Sequence, residues 1–353
     1  MTQSNLLHAA GDSSPRLTPH SIVAGKEGAD LDDSIDDGLL PQRAREASLA
    51  LCVLGSGSGG NCSVIRWAGS HPDATADALS HAHASAHADP NVTPQPPGAA
   101  LVDAGFGPVT IAKRLRQAGL SLNDIRAVFV THLDQDHFRP SWIRTLVGYR
   151  IPLVIDRLRV DDVMKLPFAD KLSTAGLIRE FDDNPFECRG LAVSPIRLAH
   201  DQKGVNGFRF EREGVRLGYA TDLGHAPKAL TDLFAGVEML AIESNYDPPM
   251  QLKSGRPLFL KRRVMGRAGH LSNEQAFEAV LKITEKSPPA NPQHVVLLHR
   301  SQQCNCPTVI DAVFRQAPHV HRRIRLTEQR RRSRWFTATA MPQVQHKQLM
   351  FRF

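Results

Sequence analysis

The feature that most constrains this chain is the segment 131–137, THLDQDH, which crowds His132, Asp134, Asp136 and His137 into one short turn directly after the apolar run IRAVFV. Imidazoles and carboxylates at a strand end are costly to bury unpaired, and divalent cations satisfy several of them at once. A fold built around this turn needs further strands ending nearby to complete the coordination. Three later residues meet that need: His200 ends LAVSPIRLAH, Asp222 ends VRLGYATD and His299 ends HVVLLH. Taken singly, such residues more often cap or hydrogen-bond; taken as an ordered set, they converge on one edge. A solvated polar loop is the competing account of 131–137.

Apolar patterning extends this picture. Strands are expected at SLALCVLG from Ser48, then at CSVIRW, AALVDAG, IRAVFVTH, IPLVI, LAVSPIRLAH, NGFRFER, VRLGYATD, VEMLAIES and HVVLLH. Helical spacing runs over 109–118, with Gly119 placed to stop it, and recurs over 227–234, 273–286 and 308–316. Strands with helices recurring between them suit an α/β fold of two sheets covered outside by helices. The folded domain is expected over 48–320. Residues 1–47, rich in Ser, Pro, Asp and Gly, suggest a disordered leader. Residues 69–98 suggest a low-complexity, His-rich surface insertion, in which His71, His81, His83 and His87 belong to a polar loop. Residues 321–353 are expected to form a basic C-terminal tail.

Charge bears on partners and not on fold. The 43 Lys and Arg outnumber the 36 Asp and Glu, giving +7 and favouring acidic partners such as nucleic acid. The run QRRRSRW at 329–335 joins cations to one aromatic, which suits a single strand, although such runs are usually solvated. Five scattered cysteines make no disulfide framework and fit a reducing cytoplasm; Cys304 and Cys306 are ordinary thiols. No stretch reaches membrane-spanning length, and the first residues lack the pattern of a secretory signal.

The order SGSGGN, LVDAG, THLDQDH, a lone His, TD, GHLS and LLH resembles the metallo-β-lactamase superfamily. The segments ESNYDPPM, LKRRVMGRAGHLSNEQA and LLHRSQQCNCP look like its YycJ (WalJ) branch, whose members are regarded as nuclease-like phosphodiesterases. The resemblance spans 49–316 and implies a four-layer αββα sandwich, two mixed β-sheets flanked by helices, with a dinuclear centre at one edge of the sheets. By that resemblance His132, Asp134 and His200 hold one metal, Asp136, His137 and His299 the other, and Asp222 bridges them. The implied cofactors are two divalent ions, zinc or manganese, with magnesium a further candidate. Such a pair acidifies a shared water to hydroxide and neutralises charge at phosphorus.

The resemblance then implies that Asp136 is catalytic and that His270 in GHLSN is a proton donor or transition-state contact beside the leaving group; a helix-start residue bonded to backbone is its alternative role. Asp103 and Glu243 are expected to orient ligands. Ser56, Asn61, Asn245, Lys261, Arg262 and Arg263 are expected to contact substrate. Two positions depart from the family pattern: Asp134 and Tyr246 stand where it has His. A hard anion at 134 favours Mn²⁺ or Mg²⁺ relative to Zn²⁺. The implied function is a metal-dependent phosphodiesterase or nuclease acting on DNA or RNA. A small-molecule hydrolase of the same superfold, for a thioester, lactone or phosphodiester, remains open, as does a degenerate nucleic-acid-binding module with weak or no turnover.

Overall fold

The apolar runs pair into two seven-stranded sheets in the computed structural model, which describes residues 39–69 and 96–340. The first sheet uses β1 (Ala50–Gly55), β2 (Cys62–Trp67), β3 (Gly98–Val102), β4 (Ile125–Phe129), β5 (Leu153–Asp156) and β6 (Ile178–Phe181). The second uses β7 (Phe186–Cys188), β8 (Leu191–Leu198), β9 (Val205–Arg212), β10 (Val215–Ala220), β11 (Met239–Glu243), β12 (His294–Leu298) and β13 (Ile324–Leu326). A late strand, β14 (Phe336–Thr337), returns to the first sheet. The orders are β14-β1-β2-β3-β4-β5-β6 and β13-β12-β11-β10-β9-β8-β7.

Each sheet is mixed. β3 to β6 run parallel, as do β10 to β13, while the remaining neighbours in each sheet are antiparallel. Parallel strands covered on both faces need continuous apolar sequence, and β3 and β11 are buried at every position. Between the sheets lies a core in which the Phe129 ring meets Phe210 and Phe208 edge-on, with centroids 5.2 and 5.8 Å apart. Outside the first sheet, Ile111 and Leu115 of helix Pro108–Gln117 join Trp142, Ile143 and Leu146 of helix Trp142–Tyr149. Outside the second, Ala276, Ala279, Val280 and Ile283 form one face of helix Asn273–Glu285 and pack with Ile310 and Phe314. The layers are helix, sheet, sheet, helix, the αββα sandwich expected.

Some boundaries differ from expectation. Helix Gln42–Glu46, with Ala44 buried, lies in the stretch assigned to a leader. β13 and β14 lie in the stretch assigned to a tail, and Trp335 donates from its indole to the Ala118 carbonyl at 3.1 Å. Ser333 is tied to β1 through Val53, so the RRRSRW run lies along a sheet edge and Trp335 is not free to stack on a base. The cationic letters conceal a short strand whose apolar residues are few. Residues 1–38, most of the insertion (70–95, with its four histidines) and 341–353 lie outside the described residues. Among those described, no helix is long and apolar enough to cross a membrane, and all five cysteines are free.

Candidate metal centre

Strand direction decides where the polar residues fall. β3, β4, β8, β10, β11 and β12 end on one edge, and their ends lead into Asp103, the 131–137 turn, His200, Asp222, Glu243 and His299. Asp103, Asp222 and His299 all turn the chain with left-handed backbone, at φ of 64°, 57° and 53°. The LVDAG glycine has a physical reason: a Cβ at Gly105 would overlap the Asp136 carbonyl oxygen, which accepts from Asn61 N–H at 2.7 Å. Backbone of the first glycine-rich loop thus clamps the 131–137 turn.

Potential ligand atoms gather in three overlapping groups. His132, Asp134 and His200 form one, Asp136, His137 and His299 another, and His132, His137 and Asp222 a third that joins them, with atoms in each group within 4.8 Å of one another. Asp222 Oδ2 lies 2.9 Å from His137 Nε2, and its Oδ1 lies 3.2 Å from His299 Nδ1. Every metal-ligand residue expected from the sequence is brought to this one edge. A fourth group joins the buried Asp222, Glu243 and His299 to the partly exposed His270.

Five imidazoles are held by the same atom. The Nδ1 of His137 meets Asp103 at 2.7 Å, those of His299 and His270 both meet Glu243 Oε1 at 2.8 Å, that of His200 meets the Gly269 carbonyl at 3.1 Å, and that of His132 meets Thr131 Oγ1 at 3.0 Å. Holding a ring through Nδ1 fixes its tautomer and leaves Nε2 as the free donor atom. The Nε2 of His132 is buried with no partner, an orphaned polar atom that a cation would satisfy.

Electrostatics agree with that donor set. Burial, then the neighbouring His137, holds His132 well below its ordinary value, in the neutral form a ligand needs. Burial opposes charge on His137, but Asp222 and Asp103 outweigh it and raise the imidazole well above its usual range. Burial likewise opposes charge on His299, yet Asp222, Asp136 and Glu243 raise it to about 10. For Asp222, burial is outweighed by His299 and His137, which hold the carboxyl well below normal. Carboxylates at this edge draw positive charge onto two imidazoles, and bound cations would displace those protons. The residues therefore fit two divalent ions.

The other expected residues divide. Asp103 and Glu243 are fully buried, with carboxylates on His137 and His299 respectively. Ser56, Asn61 and Asn245 are near the centre, but their side chains are committed within the protein. Ser56 Oγ accepts from His299 N–H at 2.8 Å and donates to Asn61 Oδ1, and Asn245 Nδ2 donates to the His299 carbonyl at 2.7 Å. Ser56 and Asn245 position His299, whereas Asn61 Nδ2 lies 3.0 Å from His137 Nε2, because a loop this close to the turn must satisfy its own buried polar groups first. Lys261, Arg262 and Arg263 lie on helix Leu258–Val264, beside the centre and not in it. Tyr246 is buried against Val264 and Cys304, its phenol pushed up to about 12 by burial and then by Glu243. Sequence reasoning missed Thr131, whose hydroxyl links Asp103 to His132. Its only signal was a hydroxyl residue directly before the motif's first histidine.

Comparisons with known proteins follow this geometry. The family model described as the beta-lactamase superfamily domain matches residues 100–299. The exodeoxyribonuclease YycJ of Bacillus anthracis is 27% identical over 212 residues, covering 58% of this chain and 75% of the relative. The exodeoxyribonuclease WalJ of Streptococcus pneumoniae serotype 2 is 24% identical over 190 residues, covering 52% and 67% respectively. Among solved structures, the metallo-beta-lactamase fold protein YhfI from Bacillus subtilis superposes with a TM-score of 0.53 at 11% identity, over 81% of this chain and 98% of that one. A long-form RNase Z from yeast reaches 0.52 at 13% identity, over 82% of this chain and 41% of its own. These structural likenesses establish the fold alone.

Proposed function

This chain belongs to the β-lactamase superfamily, and on that premise we propose that it is a metal-dependent phosphodiesterase that cleaves nucleic acid at a dinuclear centre. The observation that carries the proposal is the shared Nδ1 anchoring of five histidines around Asp134, Asp136 and Asp222. His132, Asp134 and His200 would hold one ion; Asp136, His137 and His299 would hold the second; Asp222 would touch both. Zinc or manganese suits the mixed His and Asp donors, and magnesium is the hardest candidate. Bound there, two divalent ions would supply Lewis acidity toward water and phosphate oxygen.

The chain's own groups do the remaining work. Asp136, only partly buried, sits between His137 and His299 and fixes the spacing of the inner donors. His270 is partly exposed with Nδ1 on Glu243, so its Nε2 is free to give a proton to a departing oxygen. Glu243 spans His270 and His299 and also accepts from the Leu223 and Leu271 N–H groups, keeping proton donor and metal ligand in register. The nucleic-acid substrate is supported by the exodeoxyribonuclease relatives and by the net charge of +7. The free cysteines suit a reducing cytoplasm.

The test is incubation with end-labelled single- and double-stranded DNA and RNA in Mn²⁺, Zn²⁺, Mg²⁺ or chelator. Metal-dependent cleavage is expected, falling by about 10³-fold or more in Asp136→Ala, the scale of losing activated water. Binding without cleavage would favour a degenerate module. Inertness toward polymers with turnover of a thioester or lactone would favour a small-molecule hydrolase.

A further inference from the structure

Between Asp247 and Glu274 the chain carries Lys253, Arg256, Lys261, Arg262, Arg263 and Arg267 and not one Asp or Glu. Two of these cations are spent inside the protein: Lys261 donates to the Leu252 carbonyl, and Arg256 reaches Gln251, Ser301 and Gln303. Lys253, Arg262, Arg263 and Arg267 are exposed, with no side-chain hydrogen bond or ion pair among the described residues.

An aromatic stands among them. Phe259 is 73% exposed on helix Leu258–Val264, and Arg262 and Arg263 follow at i+3 and i+4, on the same helix face. The opposite face is spoken for, since Leu260 and Val264 pack on Tyr246 and Cys304. The helix ends at the metal centre. His270 N–H donates to the Val264 carbonyl at 2.9 Å, an approach possible only because a Cβ is missing at Gly269, where it would overlap that same oxygen. Phe259 and Val264 are five positions apart, a rise of roughly 7.5 Å along the axis.

We propose that this helix is a landing platform for single-stranded nucleic acid. Phe259 stacks on an unpaired base, Arg262 and Arg263 take the adjoining phosphates, and the strand passes Arg267 to reach His270. The inference rests on the phosphodiesterase proposal and names the form of its substrate. An exposed ring can stack only on a base whose face is open, which a duplex denies everywhere but at its ends, and base stacking tolerates any sequence. The guanidiniums bind backbone and supply salt dependence. A lipid surface would also accept Phe259 with Leu252 and Leu258, at 59% and 60% exposure, but the acid-free cationic stripe runs to a site built for phosphoryl chemistry.

Fluorescence anisotropy of the full chain with a labelled single-stranded oligodeoxynucleotide, across a salt series, tests the platform. Phe259→Ala is expected to weaken single-strand binding about tenfold at an unchanged salt slope, with Phe259→Trp restoring it. Arg262→Gln with Arg263→Gln is expected to flatten the slope by about 1.4. An unaltered affinity in Phe259→Ala, or an equal loss on duplex, would overturn the proposal. So would Phe259-dependent binding to phosphatidylserine vesicles without oligonucleotide binding. Wild-type turnover of bis(p-nitrophenyl) phosphate with Mn²⁺ separates the two proposals: a turning-over enzyme whose oligonucleotide affinity ignores Phe259 loses the platform and keeps the site. An inert wild type with Phe259-dependent binding supports the platform and removes the chemistry.

Discussion

The two halves of the proposed metal centre are built from the same residue types and braced in opposite ways. The Asp136–His137–His299 half is held from behind by buried carboxylates, Asp103 on His137 and Glu243 on His299. The His132–Asp134–His200 half is held by neutral groups, the Thr131 hydroxyl and the Gly269 carbonyl, and its Asp134 is half exposed. A carboxylate behind an imidazole makes the ring a stronger donor, whereas a hydroxyl or carbonyl only aims it. The first half should therefore retain its ion when the second exchanges.

That contrast can be broken. The largest expected effect is from Asp103→Asn, which removes the charged brace: affinity for the more tightly held ion should fall by about 10–100-fold in calorimetric titration. An equal loss at both steps of the titration would abolish the distinction between the halves. Next comes Asp134→His, which replaces the hard anion by an imidazole. Competition between Zn²⁺ and Mn²⁺, read by metal content after dialysis, should move toward zinc on the order of tenfold at the weaker step alone. The smallest effect belongs to Thr131→Val, where only a neutral aim is lost from His132. A change of about threefold at the weaker step is expected in the same titration, and a larger one would mean that the hydroxyl also relays the charge of Asp103.

The clustering of the candidate ligands was legible in the sequence because they stand just past apolar runs, and strand ends are the places a sandwich can deliver polar groups to one edge. His200 and Asp222 were visible this way although they stand 63 and 85 positions past His137 at the turn's far end. The bracing was half legible: Asp103 and Glu243 are acids at strand ends, while Thr131 is a hydroxyl with many ordinary uses. The internal bonding of Ser56 and Asn61 was not legible, because SGSGGN looks the same whether its polar groups face out or in. β6 and β7 escaped notice since IREF and FEC are short edge segments whose burial is incomplete. β14 was hidden behind the cations of RRRSRW. Helix Leu258–Val264 was missed as an element because Pro248, Pro249 and Pro257 interrupt the sequence before it.

The left-handed backbone at Asp103, Asp222 and His299 has a thermodynamic consequence. Non-glycine residues held there each forfeit on the order of 1–3 kcal/mol, and the surrounding sheets must over-determine the fold to keep them. Stability and chemistry thus compete at the same three positions. A lineage freed from selection for turnover would gain robustness by drifting toward glycine or asparagine there, so erosion of the centre would begin at these corners and not in the core.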